Sequence, residues 1–288
     1  MGKNRLLLIL LAILLLLVGA ACGDDDGDDA SGDETTTTAA DDSTEATEAT
    51  ESTEATEPAT EGVEGTVTVF AAASLTDVFE ELGTAFEEAN PDATVEFSFG
   101  PSSGLVTQIT EGAPTDVIAT AATSNMEDLV EADALDGEPT DFATNSLELA
   151  VPTGNPGEVD GLDDLANEDL VVGLCNEEVP CGRFAREALE AAGVTPSIDT
   201  NEEDVRALLT KVEVGEVDVG VVYRTDVLAA GDAVEGIEIP DDQNVVATYP
   251  IATVGEAANA EGAMAFIELV LSEEGQVALA DAGFEPAS

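Results

Sequence analysis

Short apolar runs alternate with segments of helical periodicity from residue 67 to the end of the chain. The apolar, β-prone run at 67–70 leads into apolar side chains at helical spacing, namely Leu75, Val78, Phe79 and Leu82. Further runs predict strands at 94–99, 116–121, 147–151, 170–174, 217–223, 237–239 and 245–254. Because strands and helices alternate, the pattern predicts an α/β fold with mainly parallel sheets.

Small or polar residues stand where four of the predicted helices begin. These starts lie near Ser74, Ser102, Cys181 and Asp204. Ser74 with Asp77 three residues later is typical of a capping box. The first backbone N–H groups of a helix lack partners and the helix dipole is positive there, so such starts favour an anion. In α/β sheets, ligands lie at the carboxyl ends of the strands, where these helix starts collect.

The first 65 residues differ in composition from the rest. Residues 1–21 combine two basic residues with an apolar run at 6–18 and are typical of an export signal peptide. The small residues directly before Cys22 resemble a bacterial lipoprotein cleavage site, which predicts that Cys22 is lipidated. An ordinary signal peptide or an uncleaved anchor is the alternative. Residues 22–65 are rich in Asp, Glu, Thr and Ala and hold few large apolar side chains, which predicts a disordered acidic linker.

The charge balance excludes several classes of function. The chain has 63 acidic and 7 basic residues, so nucleic acid and anionic membrane surfaces are poor partners. It has no histidine, which removes the commonest general base and a frequent metal ligand. Lys3 and Arg5 lie in the leader, so only five of the seven basic residues remain for the folded region. A site built on basic side chains is therefore not expected.

Several motifs together resemble the periplasmic molybdate-binding proteins of ABC transporters. V-x-V-F-A-A-A-S-L-T and F-x-x-S-S-x-L-x-x-Q-I-x-x-G-A-P-x-D-V come first in the chain. V-P-C-G-x-F-A-x-E-A-L, E-D-V-R-A-L-L-x-x-V-E and G-V-V-Y-x-x-D follow in the order typical of that family. The resemblance covers about 66–284, which is essentially the whole predicted folded region.

The resemblance implies a two-lobe periplasmic-binding-protein fold of type II. Each lobe would be a mainly parallel sheet flanked by helices. The first lobe would comprise 66–146 and 247–288, and the second 147–246. The chain would then cross between the lobes near Ser146 and again near Val246.

In that family a tetrahedral oxyanion lies between the lobes and is held by neutral hydrogen-bond donors. The resemblance implies that five residues of this chain hold it: Ser74, Ser102, Cys181, Val205 and Tyr223. The two serines would donate hydroxyl and backbone N–H, with Ser103 as the alternative to Ser102. Cys181 and Val205 would donate backbone N–H, and Tyr223 its phenol hydroxyl. Without the resemblance, the same residues would be interpreted as helix caps, a core valine and a strand-end tyrosine.

Two cysteines remain beyond Cys22, namely Cys175 and Cys181, with five residues between them. In an exported protein a disulfide is the favoured state, and it would stiffen the loop that presents the N–H of Cys181. No histidine or further cysteine completes a ligand set, so no metal cation is expected there. A redox-active pair stays open, although the spacing is not C-x-x-C.

The function implied is that of a lipid-anchored solute-binding protein, with no enzyme activity and no cofactor. It would capture molybdate, and also tungstate, for an ABC permease and its ATPase. The protein would be a monomer held at the outer face of the cell membrane by Cys22 alone. Another oxyanion, such as sulfate or phosphate, is the alternative ligand on the same fold.

An exported α/β enzyme is disfavoured because no His-based nucleophile pair and no G-x-S-x-G occur. An adhesion module or a sensor on a stalk is a third possibility, although no transmembrane signalling segment follows Cys22.

Overall fold

The structure is a computed structural model that describes residues 62–287. The predicted signal peptide at 1–21, the predicted lipidation site Cys22 and the predicted linker up to residue 61 lie outside the described residues. The strands of the described part are β1 (Gly65–Ala72), β2 (Ala93–Gly100), β3 (Val117–Ala119), β4 (Leu135–Pro152), β5 (Val172–Cys175), β6 (Ile198–Glu202), β7 (Val219–Tyr223), β8 (Val234–Glu238), β9 (Val246–Val254) and β10 (Glu285–Pro286). Its helices are α1 (Thr76–Ala89), α2 (Ser102–Thr110), α3 (Thr123–Glu131), α4 (Pro180–Ala192), α5 (Val205–Glu213), α6 (Arg224–Ala230), α7 (Ala260–Leu271) and α8 (Glu273–Asp281).

The strands form two sheets that share β4. The first sheet has the order β2-β1-β3-β9-β4, and the second has the order β4-β7-β5-β6. β1 runs parallel to β2 and β3, and β5 runs parallel to β6 and β7. β4 and β9 run antiparallel to their neighbours, because they are the strands that return between the parallel units. The predicted α/β architecture is confirmed, with parallel pairing confined to the outer strands of each sheet.

β4 changes partners between Ser146 and Leu147. Up to Ser146 it pairs with β9, which begins at Val246, and from Leu147 onward it pairs with β7 and β8. The sequence predicted only its last part, at 147–151. The earlier part contains polar residues and two register shifts, so it lacks a continuous apolar alternation.

The core packs aliphatic strand residues against a group of aromatic rings. Valines of β1, β5 and β7 are fully buried, since helices cover these strands. Phe79 of α1 lies 5.9 Å from Phe142 and 5.7 Å from Phe266, measured between ring centroids. Edge-to-face pairs such as Phe79 with Phe266 contribute beyond the area that they bury. This packing holds α1 against the first sheet and fixes where the helix begins.

Within 62–287, no helix combines the length and hydrophobicity needed to cross a membrane.

Candidate ligand-binding site

A small pocket lies where strands of both sheets end and helices begin. It is lined by Ala72, Ala73, Ser74, Gly100, Pro101, Ser102, Ala121, Val179, Pro180, Cys181, Asp204, Val205 and Tyr223. The five residues predicted from the sequence therefore line one pocket, and Ser103 is not among its lining residues. The pocket has a cavity volume of about 20 Å³, far below the roughly 300–1,000 Å³ typical of sites for drug-sized ligands. Its size suits a small ion.

Each wall of the pocket is a junction between a strand and a helix. Ser74 lies in the short turn between β1 and α1, and Ser102 is the first residue of α2, directly after β2 and Pro101. Cys181 lies in the first turn of α4, and Val205 is the first residue of α5. The first two junctions belong to the first sheet and the other two to the second. Residues of four helix starts thus line one pocket, and the unpaired N–H groups and positive dipole ends of helix starts favour an anion.

The predicted capping box of Ser74 and Asp77 is wrong. A three-residue 3-10 turn, Ala73–Leu75, separates β1 from α1, so the helix begins at Thr76 and its N-cap residue is Leu75. The Ser74 hydroxyl instead hydrogen-bonds the Tyr249 hydroxyl at 2.8 Å, and the Asp77 carboxylate pairs with Arg206. Asp204, by contrast, does cap its helix: its carboxylate accepts the backbone N–H of Ala207 at 2.8 Å.

The Tyr223 hydroxyl is a buried donor that lacks a partner within the described residues. The residue is 2 % exposed and lines the pocket. Burial raises the pKa of Tyr223 well above its ordinary value, so the phenol keeps its proton. An unpaired buried hydroxyl costs about 1–3 kcal/mol. A ligand oxygen in the pocket would remove that cost by accepting its hydrogen bond.

The Ser102 hydroxyl is also arranged as a donor to the pocket. Its oxygen accepts the backbone N–H of Ala121 at 3.0 Å, and the residue is 1 % exposed. Because the oxygen is engaged as an acceptor, its own hydrogen remains for another partner. Ala121 and Ser102 both line the pocket, so this bond fixes the serine at its wall.

Tyr249 and Asn145 support Ser74 from behind the pocket, and sequence reasoning missed both. The Asn145 amide donates to the Thr225 hydroxyl at 2.9 Å and lies 3.5 Å from the Tyr249 oxygen. Either hydroxyl of the Ser74–Tyr249 pair can be the donor, and when Tyr249 donates, the hydrogen of Ser74 is left for the pocket. Burial raises the pKa of Tyr249, so its proton stays in place. The alternation of apolar residues along β9 puts Tyr249 inward, but its contact with Ser74 spans 175 residues of sequence.

A disulfide joins the end of β5 to the start of α4. The sulfur atoms of Cys175 and Cys181 are 2.15 Å apart, and both residues are buried. The loop between them returns so closely that a Cβ on Gly182 would clash with the Asn176 carbonyl oxygen. Only glycine fits at that position. The tight loop holds Cys181 at the pocket wall.

The fold and the pocket define a solute-binding protein: two α/β sheets share β4, and helix starts from both sheets surround a small pocket. Residues 67–285 match the bacterial extracellular solute-binding protein family, and the chain belongs to it. The matched region contains every residue that lines the pocket.

The names of individual relatives are more specific about the ligand than the description of the family is. The chain is 36% identical over 219 residues to the molybdate-binding protein of Mycobacterium tuberculosis, covering 76% of this chain and 84% of that protein. It is 30% identical to a Bacillus subtilis protein provisionally assigned as an ABC transporter substrate-binding lipoprotein, covering 76% and 86%. A weaker match, 24% identical and covering 76% and 73%, is the sulfate-binding protein of Synechocystis.

A solved structure supports the fold. The periplasmic molybdate-binding protein of Azotobacter vinelandii superposes with a TM-score of 0.69 at 20% identity, covering 77% of this chain and 100% of that one. The resemblance predicted from the motifs and the periplasmic-binding-protein fold are both confirmed. The relatives named here are binding proteins, and none of their names implies a cofactor.

Proposed function

We propose that this protein captures molybdate, and also tungstate, for delivery to an ABC permease and its ATPase. The observation that carries the proposal is the buried, unpartnered hydroxyl of Tyr223 in a pocket lined by helix starts. The molybdate-binding relative, 36% identical over 219 residues, supports this choice of ligand.

The pocket suits a dianion that binds through hydrogen bonds alone. In our proposal Ser74 and Ser102 donate hydroxyl and backbone N–H, Cys181 and Val205 donate backbone N–H, and Tyr223 donates its phenol. Hydrogen bonds to an ionised acceptor are roughly twice as strong as neutral ones, so several together hold a buried anion. Helix-start N–H groups add partial positive charge without the desolvation cost of burying a lysine or arginine.

Two lobes would close on the anion. The first lobe would comprise 66–146 and 247–288, and the second 147–246, with hinges near Ser146 and Val246. The change of β4 partners between Ser146 and Leu147 supports this division. The closed form would dock on the permease, and no bond in the ligand would be made or broken, so the protein would not be an enzyme.

Anchoring by a lipid on Cys22 is the corresponding proposal for location. The assignment of the Bacillus subtilis relative as a lipoprotein supports it. The protein would then be a monomer tethered by the acidic linker at 22–65, on the outer face of the cell membrane. Mass spectrometry of the mature protein tests this, since an unmodified N-terminus downstream of Cys22 would contradict lipidation.

Sulfate is the second candidate ligand, because a sulfate-binding protein is among the weaker relatives. Both anions are tetrahedral and would accept the same hydrogen bonds. Titration calorimetry of the full chain with molybdate, tungstate, sulfate and phosphate separates the candidates. We expect molybdate and tungstate to bind most tightly. Tighter binding of sulfate would instead identify sulfate as the ligand of this protein.

A pair of serine variants tests whether the pocket is the site. Ser102→Ala removes a hydroxyl at the pocket wall, whereas Ser103→Ala removes the neighbouring hydroxyl outside it. We expect the first to weaken molybdate binding about tenfold, as for the loss of one charge-assisted hydrogen bond. The matched control should bind as the wild type does. Equal affinities in the two variants would place the ligand elsewhere.

A further inference from the structure

Arg206 reaches from the second sheet's side of the pocket to the first. It follows Val205 at the start of α5, and its guanidinium hydrogen-bonds the Asp77 carboxylate on α1. Its Nε also lies 3.4 Å from the carbonyl oxygen of Ala73. Ala73 directly precedes Ser74. Arg206, which is next to the predicted donor Val205, therefore contacts Ala73, which is next to the predicted donor Ser74 on the opposite wall.

The same guanidinium extends to a third donor through Asp226. Arg206 Nε lies 3.5 Å from Asp226 Oδ1, and Asp226 Oδ2 accepts the backbone N–H of Tyr223 at 3.0 Å. Asp226 is fully buried, and a buried carboxylate is costly unless it is paired and hydrogen-bonded. The charge of Arg206 offsets part of that cost. Arg206 therefore forms an ion pair with the carboxylate that accepts the backbone N–H of Tyr223, and Asp226 Oδ1 makes no hydrogen bond within the described residues.

The charge of Arg206 is directed away from the ligand. It faces two carboxylates, those of Asp77 and Asp226, so it adds no net positive charge to the pocket. Its contacts are with backbone and side-chain groups that position donors. Its effect on an anion would therefore come through geometry.

We propose that Arg206 is a positioning residue that holds the Ala73–Ser74 turn, Val205 and Tyr223 at the separation which one bound oxyanion spans. The proposal rests on the proposed function of the pocket. It assigns to Asp77 the role of anchoring the arginine on the opposite wall, and to Asp226 that of passing the constraint to Tyr223. Loss of the network would leave each donor in its own element but would let the two walls separate.

The test uses the full chain and three variants. Arg206→Gln removes the charge and the cross-pocket contacts, and Asp77→Asn removes only the anchor. Lys211→Gln is the matched control, because Lys211 lies on the same helix α5 but pairs with Glu202, at 2.6 Å, within the second sheet. Binding of molybdate, tungstate and sulfate is measured by calorimetry, and dissociation by stopped flow.

We expect Arg206→Gln to weaken the binding of the preferred oxyanion roughly tenfold through faster dissociation. Asp77→Asn should weaken it about threefold, since that carboxylate is partly exposed. The double variant with Arg206→Gln and Asp77→Asn should bind like Arg206→Gln alone, because both changes break the same contact between Arg206 and Asp77. Arg206→Lys should recover part of the loss, and Lys211→Gln should bind within twofold of the wild type.

A readout without ligand separates this proposal from the proposed function. The chain has two tyrosines and no tryptophan, so its near-ultraviolet fluorescence comes largely from Tyr223 and Tyr249. If Arg206 holds the walls together, Arg206→Gln should increase quenching of this fluorescence by acrylamide in the ligand-free protein, and Lys211→Gln should not. Asp77→Asn supplies the same test if Arg206→Gln does not fold.

The outcomes are distinguishable. If the wild type binds none of the oxyanions, the proposed function is wrong, and the quenching comparison alone decides whether Arg206 holds the walls. If the wild type binds and the Arg206 and Asp77 variants bind equally well with unchanged quenching, the positioning role is wrong and the proposed function stands. Additive losses in the double variant would also contradict a shared contact.

Discussion

The hydroxyl of Tyr223 offers a test with opposite effects on stability and affinity. Tyr223→Phe removes a buried donor that has no partner within the described residues, and it keeps the ring that lies 6.1 Å from Tyr249 between centroids. An unpaired buried polar group costs about 1–3 kcal/mol, so the ligand-free variant should be as stable as the wild type or more stable by up to that amount.

The affinity of Tyr223→Phe for the oxyanion should fall, in contrast to its stability. A hydrogen bond to a charged group contributes about 1.5–3 kcal/mol, which corresponds to roughly a 10- to 100-fold loss of oxyanion affinity in Tyr223→Phe. Chemical unfolding gives the stability and titration calorimetry the affinity, both on the full chain. The wild-type protein is measured alongside in the same buffer.

Tyr249→Phe is the matched control, because it removes the chain's other phenol hydroxyl. That hydroxyl is already hydrogen-bonded to Ser74 at 2.8 Å, so its loss should destabilise the ligand-free protein by about 1 kcal/mol. If Tyr223→Phe instead destabilises the protein and leaves the affinity unchanged, its hydroxyl does not face the ligand, and the reasoning is refuted.

Three further predictions concern charge and the disulfide. Burial raises the pKa of Asp226 from 3.8 to about 7, although Arg206 opposes the shift, so the folded protein holds this proton more tightly than the unfolded chain does. The contribution of Asp226 to stability is then lost as pH rises from about 4 to about 7, and the stability of Asp226→Asn relative to the wild type should rise over that window in unfolding measurements; a flat difference would contradict this. The net charge of −56 at pH 7 should repel a free dianion, and salt screens charges beyond roughly 10 Å at 0.1 M, so stopped-flow association should speed up with added salt and not slow down. Cys175→Ser opens the loop that holds Cys181 at the pocket, and calorimetry should show modestly weaker oxyanion binding; unchanged affinity and stability would argue against the stiffening role.

The local pattern predicted most elements, including the returning strand β9, but not the first part of the returning strand β4. Uniformly apolar runs such as β7 were predictable because both faces of these strands are covered. The first part of β4 was missed because its polar residues and register shifts interrupt the alternation. α6 was missed because it has only seven residues and follows β7 without a linker. The predicted cap at Ser74 was wrong because a 3-10 turn over Ala73–Leu75 moves the N-cap of α1 by one residue, to Leu75.

The predicted residues of the candidate site came from motifs at strand–helix junctions. At such a junction, the place of a residue in the motif directly gives its place in the structure. The residues that support them could not be found in this way. Tyr249 reaches Ser74 across 175 residues of sequence, and Arg206 reaches Asp77 across 129. Such contacts depend on how the two sheets are placed in space, and no local pattern encodes that placement.

The central claim, that the pocket captures molybdate, is tested most directly by thermal and chemical unfolding of the full chain with and without the anion. Sodium chloride at the same ionic strength is the control, because screening alone stabilises so acidic a protein. We expect molybdate at a hundredfold excess over its Kd to raise the free energy of unfolding by about 2.7 kcal/mol beyond the salt control. Stability that does not differ between molybdate, tungstate and the salt control would contradict the claim.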